Sequence, residues 1–124
     1  MYEVISGADL PAFGPYSPAV RAGQLIFVAA QVGVDPDTGV PPASCADECR
    51  QALRNLARVV ERAGSDMRHV VRTTLLYTDF GDLPAINEVY AEVFPTDPPT
   101  RTSARVGLPG GRRIAIDAIA AVVD

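Results

Sequence analysis

Apolar residues along this chain fall into short runs with two different spacings, and the changes of spacing mark its elements. "YEVI", residues 2–5, predicts a short strand, and "LIFVAAQVG", residues 25–33, is an apolar run of the length expected for a buried strand. Between them "GPYSPAV", residues 14–20, carries Pro15 and Pro18, which predicts a structured turn leading into an edge strand. "DPDTGVPP", residues 35–42, reads as a turn-rich loop. The period then becomes helical: Cys49, Leu53, Leu56, Val60 and Ala63 recur after a capping box at Ser44 and Asp47, until Gly64 stops the run. "HVVRTTLLYTD", residues 69–79, is rich in β-branched and apolar residues and predicts a central strand. A second helix opens with Asp82 as cap and Pro84 in its first turn; its apolar stripe is Ile86, Val89, Tyr90, Val93 and Phe94, and Pro95 ends it. Arg101–Val106 and residues 112–123 read as two more strands, joined by a Leu108-Pro109-Gly110-Gly111 turn.

This order predicts an α+β fold with both helices on one face of a mixed sheet and right-handed crossovers between parallel strands. On the last strand Ile114, Ile116 and Ala118 point one way, and Arg113, Ala115 and Asp117 the other. A sheet covered on one side, with a semi-polar opposite face, usually closes against another chain. At 124 residues the chain suits a single domain, 1–124, with one core.

Composition narrows the function. With 48% hydrophobic and 21% charged residues, the chain is neither disordered nor collagen-like. Its longest apolar run, "LIFVAA", is far below the roughly 20 residues of a membrane helix, and "MYEVISGADL" lacks the basic start of a signal peptide, so a cytoplasmic location and no membrane partner are expected. A net charge of −4 gives no general attraction for nucleic acid. All eleven basic residues are arginine, and without lysine neither Schiff-base catalysis nor a lysine-anchored pyridoxal cofactor is available. Arg50, Arg54, Arg58 and Arg62 form a helix stripe that could attract an anion; a solvated outer face is the better reading, since Glu48, Gln51, Asn55 and Glu61 are interspersed with it. Cys45 and Cys49 share a helix face, but no second ligand pair accompanies them and His69 is remote. They read as small core-facing residues rather than zinc ligands.

"DPPTRTS", residues 97–103, sets two prolines ahead of one arginine. Each ring locks its own φ and pushes the preceding residue towards extended geometry, so Arg101 is delivered to its strand from a defined direction. From this stretch alone, a loop running into a strand with Arg101 capping or solvated is the better reading; the rest of the chain changes it.

"GPYSPAV", "IFVAAQVGVDPDTG", "QALRNLARVVERAG", "TTLLYTDFGDLPAINEVYAEVF", "PPTRTS" and "LPGGRRIAIDAIA" together resemble, in order and spacing, the RidA (YjgF) family over nearly the whole chain. The most specific elements are the Gly-Pro-Tyr start, the Asn-x-x-Tyr helix and the Pro-x-Arg-Thr approach to the strand. The resemblance implies a chorismate-mutase-like α+β fold, assembled as a homotrimer around a central barrel with clefts between subunits. It implies hydrolysis of reactive 2-imino acids, formed from 2-aminoacrylate-type enamines, to 2-keto acids and ammonia, with no metal or organic cofactor. RNA cleavage has also been ascribed to the family, but the acidic net charge and the single histidine argue against it here.

Carried over by position, Arg101 falls on the family's essential arginine, whose planar guanidinium binds the substrate carboxylate through two parallel hydrogen bonds. Tyr16 matches the tyrosine expected to line the cleft and offer a hydroxyl; packing over Pro15 is the competing reading. Asn87 matches the helix asparagine at the cleft edge, where a plain surface amide would look the same. Ala29, Ser103 and Ala115 also fall on cleft positions, and all three depart from the family. Ala29-Ala30-Gln31 stands where Ser-Gly-Gln is usual, and Ser103 where a cysteine is frequent. Ala115 stands where members with deaminase activity carry a glutamate that positions and polarises the attacking water, work a methyl group cannot do. The spacing from Arg101 to Leu108-Pro109 is also one residue shorter than the family pattern. These departures leave open a diverged relative that catalyses a cyclisation, dehydration or tautomerisation, or a trimer that binds ligand without turnover.

Overall fold

In the computed structural model, which describes residues 1–123, the chain forms β1 (Glu3–Ile5), β2 (Ala19–Ala22), β3 (Leu25–Val32), α1 (Cys45–Arg62), β4 (Val70–Tyr77), α2 (Leu83–Val93), β5 (Thr100–Arg105) and β6 (Ile114–Ala121). The strands make one mixed sheet in the order β1-β2-β3-β6-β4-β5. All contacts between neighbours are antiparallel except β4 with β5, which run parallel around the α2 crossover.

Local chemistry explains the helix ends. The Ser44 side chain accepts the Asp47 amide N–H at 3.1 Å, and Gly64 leaves the helix at φ 101°, a conformation that side chains other than glycine resist. Helix α2 starts where expected, with Pro84 in its first turn. Asp82, however, makes no capping bond, because residues 80–82 already form a 3₁₀ turn in which Asp79 accepts the Gly81 N–H.

The core lies between the helices and one sheet face. Leu53, Leu56 and Val60 of α1 and Ile86 and Val89 of α2 pack over Ile26, Leu75, Ile114 and Ile116, all at most 2% exposed. Burial of each such side chain contributes about 1.5–3 kcal/mol. Both thiols are in this core. Burial pushes Cys45 up to about 11 and Cys49 up to about 12, so both stay protonated and unreactive at neutral pH.

Across the opposite face, register aligns Val4, Val20, Phe27 and Ile119 in one row, with Val4 51% and Phe27 39% exposed. Among the described residues no helix covers this row.

Besides the Asp82 cap, four expectations need correction. The strand after Pro18 is not an edge, because β1 pairs outside it. Arg113 does not point to the open face. It lies before β6 begins, so the pleat does not govern it. Its Nε donates to the Glu48 carboxylate at 2.6 Å, its backbone N–H bonds the same carboxylate, and its Nη atoms reach the Ala43 and Pro42 carbonyls. Nor is α1's polar side wholly solvated. Glu48 is 0% exposed, Gln51 is buried, and Asn55 donates to the Val32 and Val34 carbonyls. Finally, Asp97 is not extended before Pro98. It adopts φ 46°, a left-handed conformation that aspartate tolerates better than most residues.

Candidate active site

The stiff segment of Pro98 and Pro99 feeds directly into β5, an edge strand whose register against β4 pairs Arg101 with Thr73. Thr73 is fully buried on the helix-covered face, and its hydroxyl bonds the Tyr90 hydroxyl at 2.8 Å. Parallel partners share a face, so Arg101 projects to the same side, and its guanidinium carbon lies 4.8 Å from the Tyr90 ring centroid. Burial raises the Tyr90 hydroxyl above its ordinary value, while the Thr73 hydrogen bond and the Arg101 charge oppose the rise. The ring is thus an anchored, neutral platform. Among the described residues no carboxylate lies within ion-pair distance of Arg101. A half-buried guanidinium with a supported face and free N–H groups is suited to gripping an external carboxylate.

Two other expected positions adjoin it. Asn87 is exposed on α2, one turn before Tyr90, and residues three apart share a helix face. Ser103 is exposed two residues beyond Arg101 on the same face of β5.

Tyr16 and Ala29 form a second group. Tyr16 is 46% exposed in the turn before β2, and its hydroxyl oxygen accepts the Phe13 N–H at 3.1 Å, which leaves its own proton free to donate. Ala29 lies in a β-bulge, where the register of β3 against β6 slips between Val28 and Gln31. The Ala29 N–H bonds the Pro18 carbonyl at 2.9 Å, which ties the bulge to the Tyr16 turn.

Ala115 stands apart on the open face, 3% exposed, between Val32 and Leu76 in register. Asp117, two residues farther along the same face, spends Oδ1 on the Thr74 N–H at 2.9 Å and keeps Oδ2 free of that bond.

One chain does not bring these groups together. β6 and β4 separate β3 from β5, a gap of about 14 Å at the usual strand spacing, and Ala115 is on the opposite face from Arg101. Sequence reasoning missed the Tyr90 platform, because a tyrosine within an apolar stripe reads as core. The signal was there in Asn87-x-x-Tyr90, which sets both on one face. It also missed the Glu48–Arg113 pair, for which the sequence carries no local signal.

A family model described as Endoribonuclease L-PSP, the RidA/YjgF group, matches residues 7–122. The chain belongs to the RidA (YjgF) family. The 2-iminobutanoate/2-iminopropanoate deaminase of Mus musculus is 41% identical over 121 residues, covering 95% of this chain and 90% of its own. The Homo sapiens protein of the same name is also 41% identical, covering 95% of this chain and 88% of its own. Among solved structures, E. coli TdcF with bound serine superposes with a TM-score of 0.90 at 34% identity, covering 98% of this chain and 99% of that one. A RidA from Psychrobacter superposes with a TM-score of 0.89 at 28% identity, covering 95% and 98%. The α+β RidA fold is therefore shared along essentially the full sheet. Among the described residues, no helix is long and apolar enough to cross a membrane.

Proposed function

We propose that this RidA-family chain is a cytoplasmic enzyme, one catalytic domain over residues 1–124, that hydrolyses reactive 2-imino acids to 2-keto acids and ammonia. The observation that carries the reading is Arg101, an unpaired guanidinium laid on the Tyr90 ring at a sheet edge. The names of relatives about 40% identical over most of the chain support the same chemistry.

In this reading the substrate carboxylate binds the Arg101 fork through two charge-assisted hydrogen bonds, each worth about 1.5–3 kcal/mol when shielded from water. Asn87 and Ser103 flank the fork. Water adds to the imine carbon as the imine nitrogen takes up a proton, giving a carbinolamine. The C–N bond then breaks, ammonia leaves and the ketone forms. Tyr16, whose oxygen is already occupied as an acceptor, donates to the developing charge. Ala115 supplies no acid or base, so the rate rests on orientation of substrate and water, which contributes up to roughly 7–11 kcal/mol in the best-oriented cases.

The separation of Tyr16 and Ala29 from Arg101 within one chain argues for a site shared between copies, and the uncovered apolar row through Val4, Val20, Phe27 and Ile119 is a surface for assembly. A homotrimer, with its sheets closed into a barrel and a cleft at each boundary, satisfies both. The substrate is a small carboxylate, and nucleic acid is not a partner, because the net charge of −4 opposes it.

The methyl of Ala115 favours a second reading, a diverged relative that keeps the anion clamp and performs another step on a small acid. An assay that generates 2-iminobutanoate in situ and follows 2-oxobutanoate separates the two. Acceleration over the spontaneous rate, lost in Arg101→Ala, supports deamination. No acceleration by the intact protein supports the second reading.

A further inference from the structure

The arginine stripe of α1 has no place in the chemistry above, and its four members differ in their surroundings. Arg50 is paired with Asp47 and Glu92, and Arg62 with Asp9. Arg54 and Arg58 have no carboxylate partner among the described residues. Both line a cavity of about 680 Å³, bounded by the 8–13 segment, the end of β3, the 34–39 loop and α1. This volume is within the usual range for small-molecule sites. No residue of β5 or α2 lines it.

The cavity has an apolar floor and an oriented cationic wall. Leu10, Val34 and Val59 are each at most 8% exposed and form the floor. The wall is held by a chain of hydrogen bonds: Asn55 donates to the Val32 and Val34 carbonyls, Gln51 Nε2 donates to Asn55 Oδ1 at 2.9 Å, and Arg54 Nη2 donates to Gln51 Oε1 at 2.8 Å. That relay fixes the Arg54 guanidinium while leaving its remaining N–H groups free. Arg58 lies one turn farther along the same face, and Arg112, also without a carboxylate partner among the described residues, lines the cavity with its guanidinium carbon 5.3 Å from the Phe13 ring centroid. Three aspartates share the rim. Asp9 is neutralised by Arg62, Asp35 accepts the Asp37 N–H at 2.7 Å, and Asp37 is exposed on the loop tip.

From this we infer that the cavity between the N-terminal segment and α1 is a second ligand site for a small organic anion, bounded by Ala30 and Gln31 at the end of β3 and lined by no residue of β5 or α2 of the same chain. Its ligand carries one carboxylate, gripped by Arg54 and Arg58, on an apolar body seated over Leu10, Val34 and Val59.

Hexanoate is a suitable probe, and its neutral methyl ester a control, with binding followed by calorimetry or ligand-observed NMR. The expected result is saturable hexanoate binding that the ester does not reproduce. Arg54→Gln/Arg58→Gln, at exposed positions that leave the core intact, should weaken it about tenfold or more, the scale of losing charge-assisted hydrogen bonds. Arg101→Ala should leave it unchanged. Absence of saturable binding to the intact protein, equal binding of the ester, or hexanoate binding that survives Arg54→Gln/Arg58→Gln but is lost in Arg101→Ala would each overturn the inference. None of these outcomes bears on imine turnover, which is read separately.

Discussion

Arg101 rests on Tyr90 with 4.8 Å between the guanidinium carbon and the ring centroid, and the ring is itself tethered by its hydroxyl to Thr73. The contact links the edge strand to α2 at the proposed carboxylate grip. Arg101→Lys keeps the charge but loses the planar fork, so kcat/KM for 2-iminobutanoate should fall by about 10- to 100-fold, the value of one charge-assisted bond. Tyr90→Phe keeps the platform and should retain turnover, while the unpartnered Thr73 hydroxyl lowers stability by about 1–3 kcal/mol. Steady-state kinetics and urea titration of the two variants separate the effects.

Glu48 and Arg113 are predicted to govern stability rather than turnover. The carboxylate is 0% exposed and binds both the backbone and the side chain of Arg113. Glu48→Ala should cost about 3–5 kcal/mol, because it leaves a guanidinium without its buried counter-charge. Gly33 adds a second check at the same junction. A β-carbon there would stand 2.1 Å from the Glu48 carbonyl oxygen, so Gly33→Ala should destabilise by about 1–3 kcal/mol or more. Unfolding midpoints in denaturant measure both.

Ala115→Glu is expected to raise kcat for 2-imino acids by on the order of 10²-fold or more, the usual worth of a positioned general acid or base. An unchanged rate in a folded, assembled variant would remove position 115 from the cleft.

The buried thiols give a pH prediction. Their folded-state values lie near 11 for Cys45 and 12 for Cys49, above the ordinary value of 9.0. Groups raised in this way contribute their full stability below the unfolded value and lose it as pH climbs through the folded one. Stability should therefore decline from pH 9 towards 11–12, and less steeply in Cys45→Ala/Cys49→Ala. At pH 8 a thiol reagent should label neither residue until the chain unfolds.

Phe27→Asp tests assembly. It places a charge in the middle of the uncovered apolar row, where Phe27 is 39% exposed and stands outside the buried core cluster. If the proposed trimer forms, light scattering should show a shift to smaller species while the far-ultraviolet spectrum is kept. An intact chain that is monomeric at the outset would refute the shared cleft directly.

The elements themselves were legible, because α1's stripe and the β-branched run of β4 are strong local patterns. The entry of Arg101 into a strand was legible too, from the prolines ahead of it, whereas its proposed role as a carboxylate grip came from the family resemblance and not from this stretch. Glu48 was not legible. A carboxylate on an amphipathic helix reads as solvated, and its partner 65 residues later reaches it because β6 is inserted between β3 and β4. The same limit hid Arg54 and Arg58, which differ from Arg50 and Arg62 only in what the N-terminal segment and α2 bring opposite them. Strand order eluded the sequence for a related reason. The β1 pairing that removes β2 from the edge depends on three residues, too few to carry a pattern.

β6 follows all five other strands in the chain and yet lies between β3 and β4. A ribosome therefore delivers the β1–β3 meander and the β4–β5 pair before the strand that joins them. Until β6 arrives, each half presents a bare edge to any neighbour, and long-range closure of this kind is slow and prone to mispairing. Expression yield should accordingly be most sensitive to changes in residues 114–121, even those that leave the finished protein as stable as before.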